Sequence, residues 1–333
     1  MNLSKKFGKF KEEVDKLLSS SSKIAIYYDS DADGCTAAAL MIIYMLKNFN
    51  KYPDKLVSCF HDVDDRIKKE EDEGVIILDT CLKRHDPGNT IIIDHHIIER
   101  EFKNAKVFNP RMFDPKSYMS TSYLVFKILK MPPEASWISF IGIKADKAEE
   151  ECKDVVELAL KHFPELKERE KKLINLISTS RNLDDARVVV NSLIEAYNMG
   201  GPSFLGKTPS SYKLLELNKK VYEYALKSLL RTKKLVETKY VEVYTINSKF
   251  NIQSILVSKL ARIRPDKSVL VANLKGDIIH VEVRTPLKKG YSKFEKLIKG
   301  LIDDMGGHDN AFGFSLHKEK FPQLLETLSK VKF

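Results

Sequence analysis

At 333 residues, with 43% hydrophobic and 31% charged residues, the chain is long enough for two domains with separate cores and has a soluble make-up. No uncharged apolar run reaches the roughly 18 residues of a transmembrane helix, and the N-terminus lacks a signal-peptide core, so a cytoplasmic protein is expected. The net charge of +10 favours a polyanionic partner, although a solvated lysine-rich surface would carry it equally well.

The amphipathic opening "MNLSKKFGKFKEEVDKLL" leads into "KIAIYY", an apolar, β-branched run that predicts a buried strand. At its end Asp29, Asp31 and Asp33 fall within five residues. Carboxylates so close together repel, and burying them unpaired is costly, so an arginine, a lysine or a metal must sit among them. A helix is predicted over "CTAAALMIIYMLKNF", followed by strands in "KLVSCF", "VIILD" and "NTIIID". Such short apolar runs predict a parallel α/β sheet, whose ligands lie beyond the carboxyl ends of the strands. Asp79 and Asp94 stand at two of those ends, and His95 and His96 follow the second.

Residues 118–200 predict helix, with apolar spacing of three to four in "STSYLVFKILK" and "KKLINLISTS". The hydroxyls of "SYMSTSY" mark a helix start that either offers its NH groups to a phosphate or is simply N-capped. "SRNLDDAR" reads as a helix end and loop, and Cys35, Cys59, Cys81 and Cys152 read as free thiols. "MGGPSFLGKTPSS" predicts a linker, and a charged helix follows from about Tyr212 to Glu237. Strands in "YVEVYTI", "SVLVANL" and "IIHVEVRT" and two closing helices predict a smaller α/β domain. The expected divisions are 1–200, 201–239 and 240–333.

Carboxylate oxygens with an imidazole, and no thiolate in the motifs, suit manganese or magnesium. Shared carboxylates can hold two such ions about 4 Å apart, an arrangement used for phosphoester hydrolysis. Metal is therefore the expected counter-charge.

In chain order, "DSDADGCTAAAL", "VIILDT", "IIIDHH" and "IGIKAD" resemble the four motifs of the DHH phosphoesterase family, and within it the archaeal type of RecJ-like exonuclease. "GGHDNAFGFSL" resembles the GGH motif of the C-terminal DHH-associated domain, and "VEVRT" places Arg284 where that domain carries a phosphate-binding arginine. The resemblance implies a parallel-sheet DHH domain and a smaller C-terminal α/β domain, joined by a linker and long helix, with the active site in the interdomain cleft. It implies that Asp31 and Asp33 each ligate one of two divalent cations, Mn2+ or Mg2+, and that Asp79 bridges them. His95 and Asp146 would share the second ion. His96 would orient the scissile phosphate or protonate the leaving oxygen, with Asp94 holding an imidazole. Gly306 and Gly307 would admit a phosphate close to the backbone, and His308 and Arg284 would bind it. Tyr27 replaces a histidine found in many relatives, so either Asp29 supplies the missing ligand or the first metal position is weak. "KAEE" after Asp146, and Ile97 and Ile98 where a proline is frequent, are further departures.

The activity implied is exonucleolytic hydrolysis of single-stranded DNA, RNA or both in replication or repair, beside a helicase or helicase-associated complex and away from membranes. One alternative is a phosphodiesterase of short oligonucleotides or cyclic dinucleotides. Another is a non-catalytic replication factor, which the intact acidic set argues against. The GGH pattern disfavours a manganese-dependent pyrophosphatase.

Overall fold

The computed structural model describes residues 3–59, 63–67, 73–80, 82–98, 100–182 and 186–332, without the side chains of residues 304, 307 and 308. Cys81 lies outside the described residues. The chain forms two compact units, Met1–Asn218 and Lys219–Phe333.

The first unit runs α1 (Leu3–Ser20), β1 (Lys23–Asp29), α2 (Ala32–Phe49), β2 (Lys55–Cys59), α3 (Val63–Arg66), β3 (Glu73–Leu78), β4 (Thr90–Ile93) and β5 (Lys106–Phe108). Helices α4 (Thr121–Ile128), α5 (Ser136–Ala145), α6 (Lys153–His162), α7 (Leu166–Ile177) and α8 (Arg187–Asn198) follow. The expected parallel sheet has five strands in the order β2-β1-β3-β4-β5. Alternate residues feed its two faces: Ile24, Ile26, Tyr28, Ile76 and Leu78 join the large core with α2, while Ala25, Tyr27, Val75 and Ile77 join a smaller one. The fifth strand, only three residues long, was not expected, because "KVF" is too short to show a pattern. Helix α2 is buried from Ala32 to Met45, which explains its run of small and apolar residues. Among the described residues no helix is long and apolar enough to cross a membrane.

Helix α9 (Pro209–Leu229) joins the units. It ends eight residues before the expected Glu237, because Lys233–Glu237 forms a strand, β6, that pairs with β7 (Val241–Ile246). Its lysines and glutamate suit a charged sheet edge, and they disguise the strand in the sequence. The second unit continues with α10 (Gln253–Ile263), β8 (Ser268–Asn273), β9 (Ile278–Arg284), α11 (Gly290–Ile298), β10 (Asp304–His308), β11 (Ala311–His317) and α12 (Phe321–Ser329). Its mixed six-stranded sheet is ordered β10-β11-β9-β8-β7-β6. Phe294 of α11 and Leu324 and Leu328 of α12 share a core with Phe312, Phe314 and Leu316 of β11.

Candidate metal centre

From β1 the chain builds outward to β2 on one side and through β3, β4 and β5 on the other, so the strand order reverses between β1 and β3. Crevices at such reversals are where α/β sheets take ligands. Asp29 ends β1, Asp79 follows β3, Asp94 follows β4, and Asp146 caps the C-terminus of α5.

Asp31 is the N-cap of α2: its Oδ1 accepts the Gly34 N–H at 2.9 Å, and its Oδ2 accepts from Arg181 Nη2 at 3.0 Å. Asp29 Oδ1 accepts the Asp31 N–H at 3.0 Å. The close start of α2 requires Gly34, since a Cβ there would lie 2.2 Å from the Asp29 carbonyl oxygen. Asp33 is held by the N-terminus of α4, with Thr121 N–H and Ser122 N–H donating to its two oxygens at 2.5 and 3.0 Å. Ser120 caps that helix, so the capping expectation holds and the remaining NH groups meet a protein carboxylate. The Thr121 hydroxyl donates to Asp79 Oδ1 at 2.9 Å. Asp79 has φ of 61°, a left-handed conformation unusual for a residue with a side chain and frequent at functional sites.

His95 Nε2 lies 3.3 Å from both Asp79 Oδ1 and Asp146 Oδ2. Ligand atoms of Asp33, His95 and Asp146 all fall within 4.8 Å of one another, as do those of Asp79, His95 and His96. Asp79 is within hydrogen-bonding reach of Asp31 as well. Asp94 is fully buried, and its Oδ1 meets His96 Nδ1 at 2.8 Å, leaving Nε2 of a ring that is over half exposed to meet a ligand. Tyr27 packs in the smaller core.

Burial and the neighbouring Asp31 raise Asp33 to about 6 and Asp29 to about 7. Burial, then Asp33 and Asp31, push Asp79 and Asp146 well above the carboxylate range. Asp31 differs: burial would raise it, but Arg181 and the Gly34 N–H hold it below its ordinary value. Burial and the charge of His96 push His95 down to about 4, so it is neutral near pH 7. Burial opposes the charge on His96, yet Asp94 overrides this and raises it to about 9. Arg181 outweighs burial at Asp31, whereas at Asp29 and Asp146 its charge does not, and Asp33 and Asp79 stay raised as well. A neutral imidazole among under-compensated carboxylates fits a hard divalent cation.

Asn109, Arg111, Gly142 and Arg181 were not singled out from the sequence, and Thr121 and Ser122 only as members of the hydroxyl-rich "SYMSTSY". Asn109 Nδ2 donates to the His96 carbonyl at 2.8 Å, and Arg111 Nε to the His95 carbonyl at 2.8 Å, fixing the loop that carries both histidines. Arg181 lies 150 positions from Asp31, and no local signal links them. Gly142 had a weak signal, a glycine inside a helix. A Cβ there would lie 2.3 Å from Ser122 Oγ, 2.4 Å from Thr36 Oγ1 and 2.5 Å from Asp33 Oδ1. Gly142→Ala should therefore displace Asp33 and cost about 1–3 kcal/mol, measurable by denaturant unfolding; an unchanged midpoint would contradict this packing.

In the second unit, register places Arg284 of β9 opposite Ala311 of β11, and Ala311 opposite His308 of β10. The two expected phosphate-binding positions thus lie in one cross-strand row. The side chains of residues 307 and 308 are outside the described set. Arg284 Nη1 lies 3.3 Å from Glu282 Oε2, and Nη2 donates to Ser254 Oγ at 3.2 Å. A Cβ at Gly306 would meet nothing within 4 Å, so the backbone there borders open space.

Residues 23–160 match the model of the DHH family, N-terminal domain. No curated protein matches the chain. Among solved structures, the chain resembles RecJ of Thermus thermophilus in complex with Mn2+, at a TM-score of 0.71 and 16% identity. That match covers 97% of this chain but 54% of the other, so the chain spans about half the length of that RecJ. A manganese-bound exonuclease RecJ matches at TM-score 0.61 and 16% identity, covering 96% of this chain and 93% of that one. A pGpG-specific phosphodiesterase, PggH of Vibrio cholerae, matches at TM-score 0.53 and 15% identity, covering 92% and 98%. At these identities the likeness speaks for the fold.

Proposed function

We propose that this chain, whose residues 23–160 match the DHH family, is a phosphoesterase of that family and a metal-dependent exonuclease acting on single-stranded DNA or RNA in replication or repair. The observation that carries the reading is the meeting of Asp33, His95 and Asp146 ligand atoms within 4.8 Å of one another, with Asp79 Oδ1 3.3 Å from the same His95 Nε2. Divalent cations bound there, Mn2+ or Mg2+, would supply Lewis acidity and a water acidic enough to ionise near neutral pH. Asp33, oriented by α4, and neutral His95 would present lone pairs, and Asp79 would be shared between two cation positions. His96, cationic through Asp94, would hold a proton on Nε2 for the leaving oxygen. Arg284, Gly306, Gly307 and His308 would take a phosphate of the strand, and the net charge of +10 would draw polyanions to the protein. A helicase or helicase-associated complex is the proposed protein partner.

End-labelled DNA and RNA oligomers of several lengths, incubated with Mn2+ or Mg2+, test the reading. Processive release of mononucleotides supports it, whereas cleavage confined to dinucleotides or no cleavage at all would overturn it. Arg284→Ala should raise KM for oligomers about tenfold with kcat nearly unchanged, the loss of one charge-assisted contact to phosphate. Unaltered KM would remove Arg284 from the substrate path.

A further inference from the structure

The cation positions proposed above are unequally prepared. Ligand atoms of Asp33, His95 and Asp146 lie within 4.8 Å of one another, and His95 Nε2 is also 3.3 Å from Asp79 Oδ1. Asp31 belongs to neither group of converging ligand atoms among the described residues, and its Oδ2 takes Arg181 Nη2 at 3.0 Å. The Oδ1 of the same carboxylate is committed to the Gly34 N–H as a helix cap, so Oδ2 is the oxygen with freedom to change partner. Arg181 follows α7, and its side chain is about half exposed (48%).

We propose that Arg181 is an internal counter-ion that holds the Asp31 side of the centre and must be displaced before a second cation binds there. The first cation, on the Asp33–His95–Asp146 side, binds without moving it. The guanidinium is thereby a positioning group for Asp31: it keeps the cap of α2 in place when one cation is bound, and once released it is free to meet the phosphate of an arriving strand. The inference rests on the metal-centre reading given above.

Mn2+ titration, followed by calorimetry and by the spin-resonance signal of free Mn2+, reads both steps without any turnover. The wild-type protein should bind two ions in separated steps. Arg181→Ala should tighten the second step by about tenfold or more and change the first much less, since a cation no longer competes with a positive charge about 3–4 Å away. Arg181→Lys, which keeps the charge, should restore the separation. Two steps that are the same in wild type and Arg181→Ala, or a second step lost in the variant, would overturn the role of Arg181 alone. Failure of the wild-type protein to bind any Mn2+ would instead overturn the metal centre.

Discussion

Asp79→Asn should lower kcat by about a hundredfold or more while leaving the fold intact and making the metal-free protein more stable. Losses of 10–100-fold follow even when a supporting residue of a metal site is removed, and Asp79 is more central than that. It is buried, lies 3.3 Å from His95 Nε2, and is within hydrogen-bonding reach of Asp31. An amide keeps the shape and can still accept the Thr121 hydroxyl, but it cannot serve as a shared anion. Asparagine also tolerates the left-handed backbone at this position, whereas alanine would add strain unrelated to the chemistry. Removing one carboxylate from a crowded set relieves repulsion, so the metal-free melting temperature should rise, by about 2–4 °C per kcal/mol relieved. Activity of the wild-type order in Asp79→Asn would show that this residue is not part of the reacting centre.

The second large effect is on stability and its dependence on pH and metal. Asp33 and Asp29 are raised to about 6 and 7 in the folded chain, above the ordinary value of 3.8, and Asp79 and Asp146 move the same way. Between these limits the folded state binds more protons than the unfolded one, so metal-free stability should fall as pH rises from about 4 to about 7. Mn2+ binds the deprotonated form and should reverse that slope. At a free concentration of 100 Kd each bound ion adds about 2.7 kcal/mol. The rise in melting temperature on adding Mn2+ should therefore be large at pH 8 and small at pH 5, where protons compete for the same oxygens. Melting curves with and without Mn2+ across this range provide the check; an equal rise at both ends would mean that the ion binds elsewhere.

Much of this was legible in the sequence because it is local. The alternation of β1 and β3 follows from two apolar faces, and aspartates directly after such runs must emerge at strand ends, where parallel sheets place ligands. The helix start after "SYMS" was legible too, but its occupant was not: Asp33 reaches the NH groups of Thr121 and Ser122 from 88 and 89 positions away. Arg181 was invisible for the same reason, since no spacing rule joins it to Asp31 across 150 positions. Strand β5 is too short for periodicity, and the charged strand β6 reads as more of the preceding helix.

The most direct measurement is anomalous diffraction at the manganese edge from crystals grown with Mn2+. The account predicts an anomalous peak bounded by Asp33, Asp79, His95 and Asp146, and a weaker one beside Asp31 that strengthens when Arg181 is replaced by alanine. Manganese bound only elsewhere on the protein, or none at all, would contradict it.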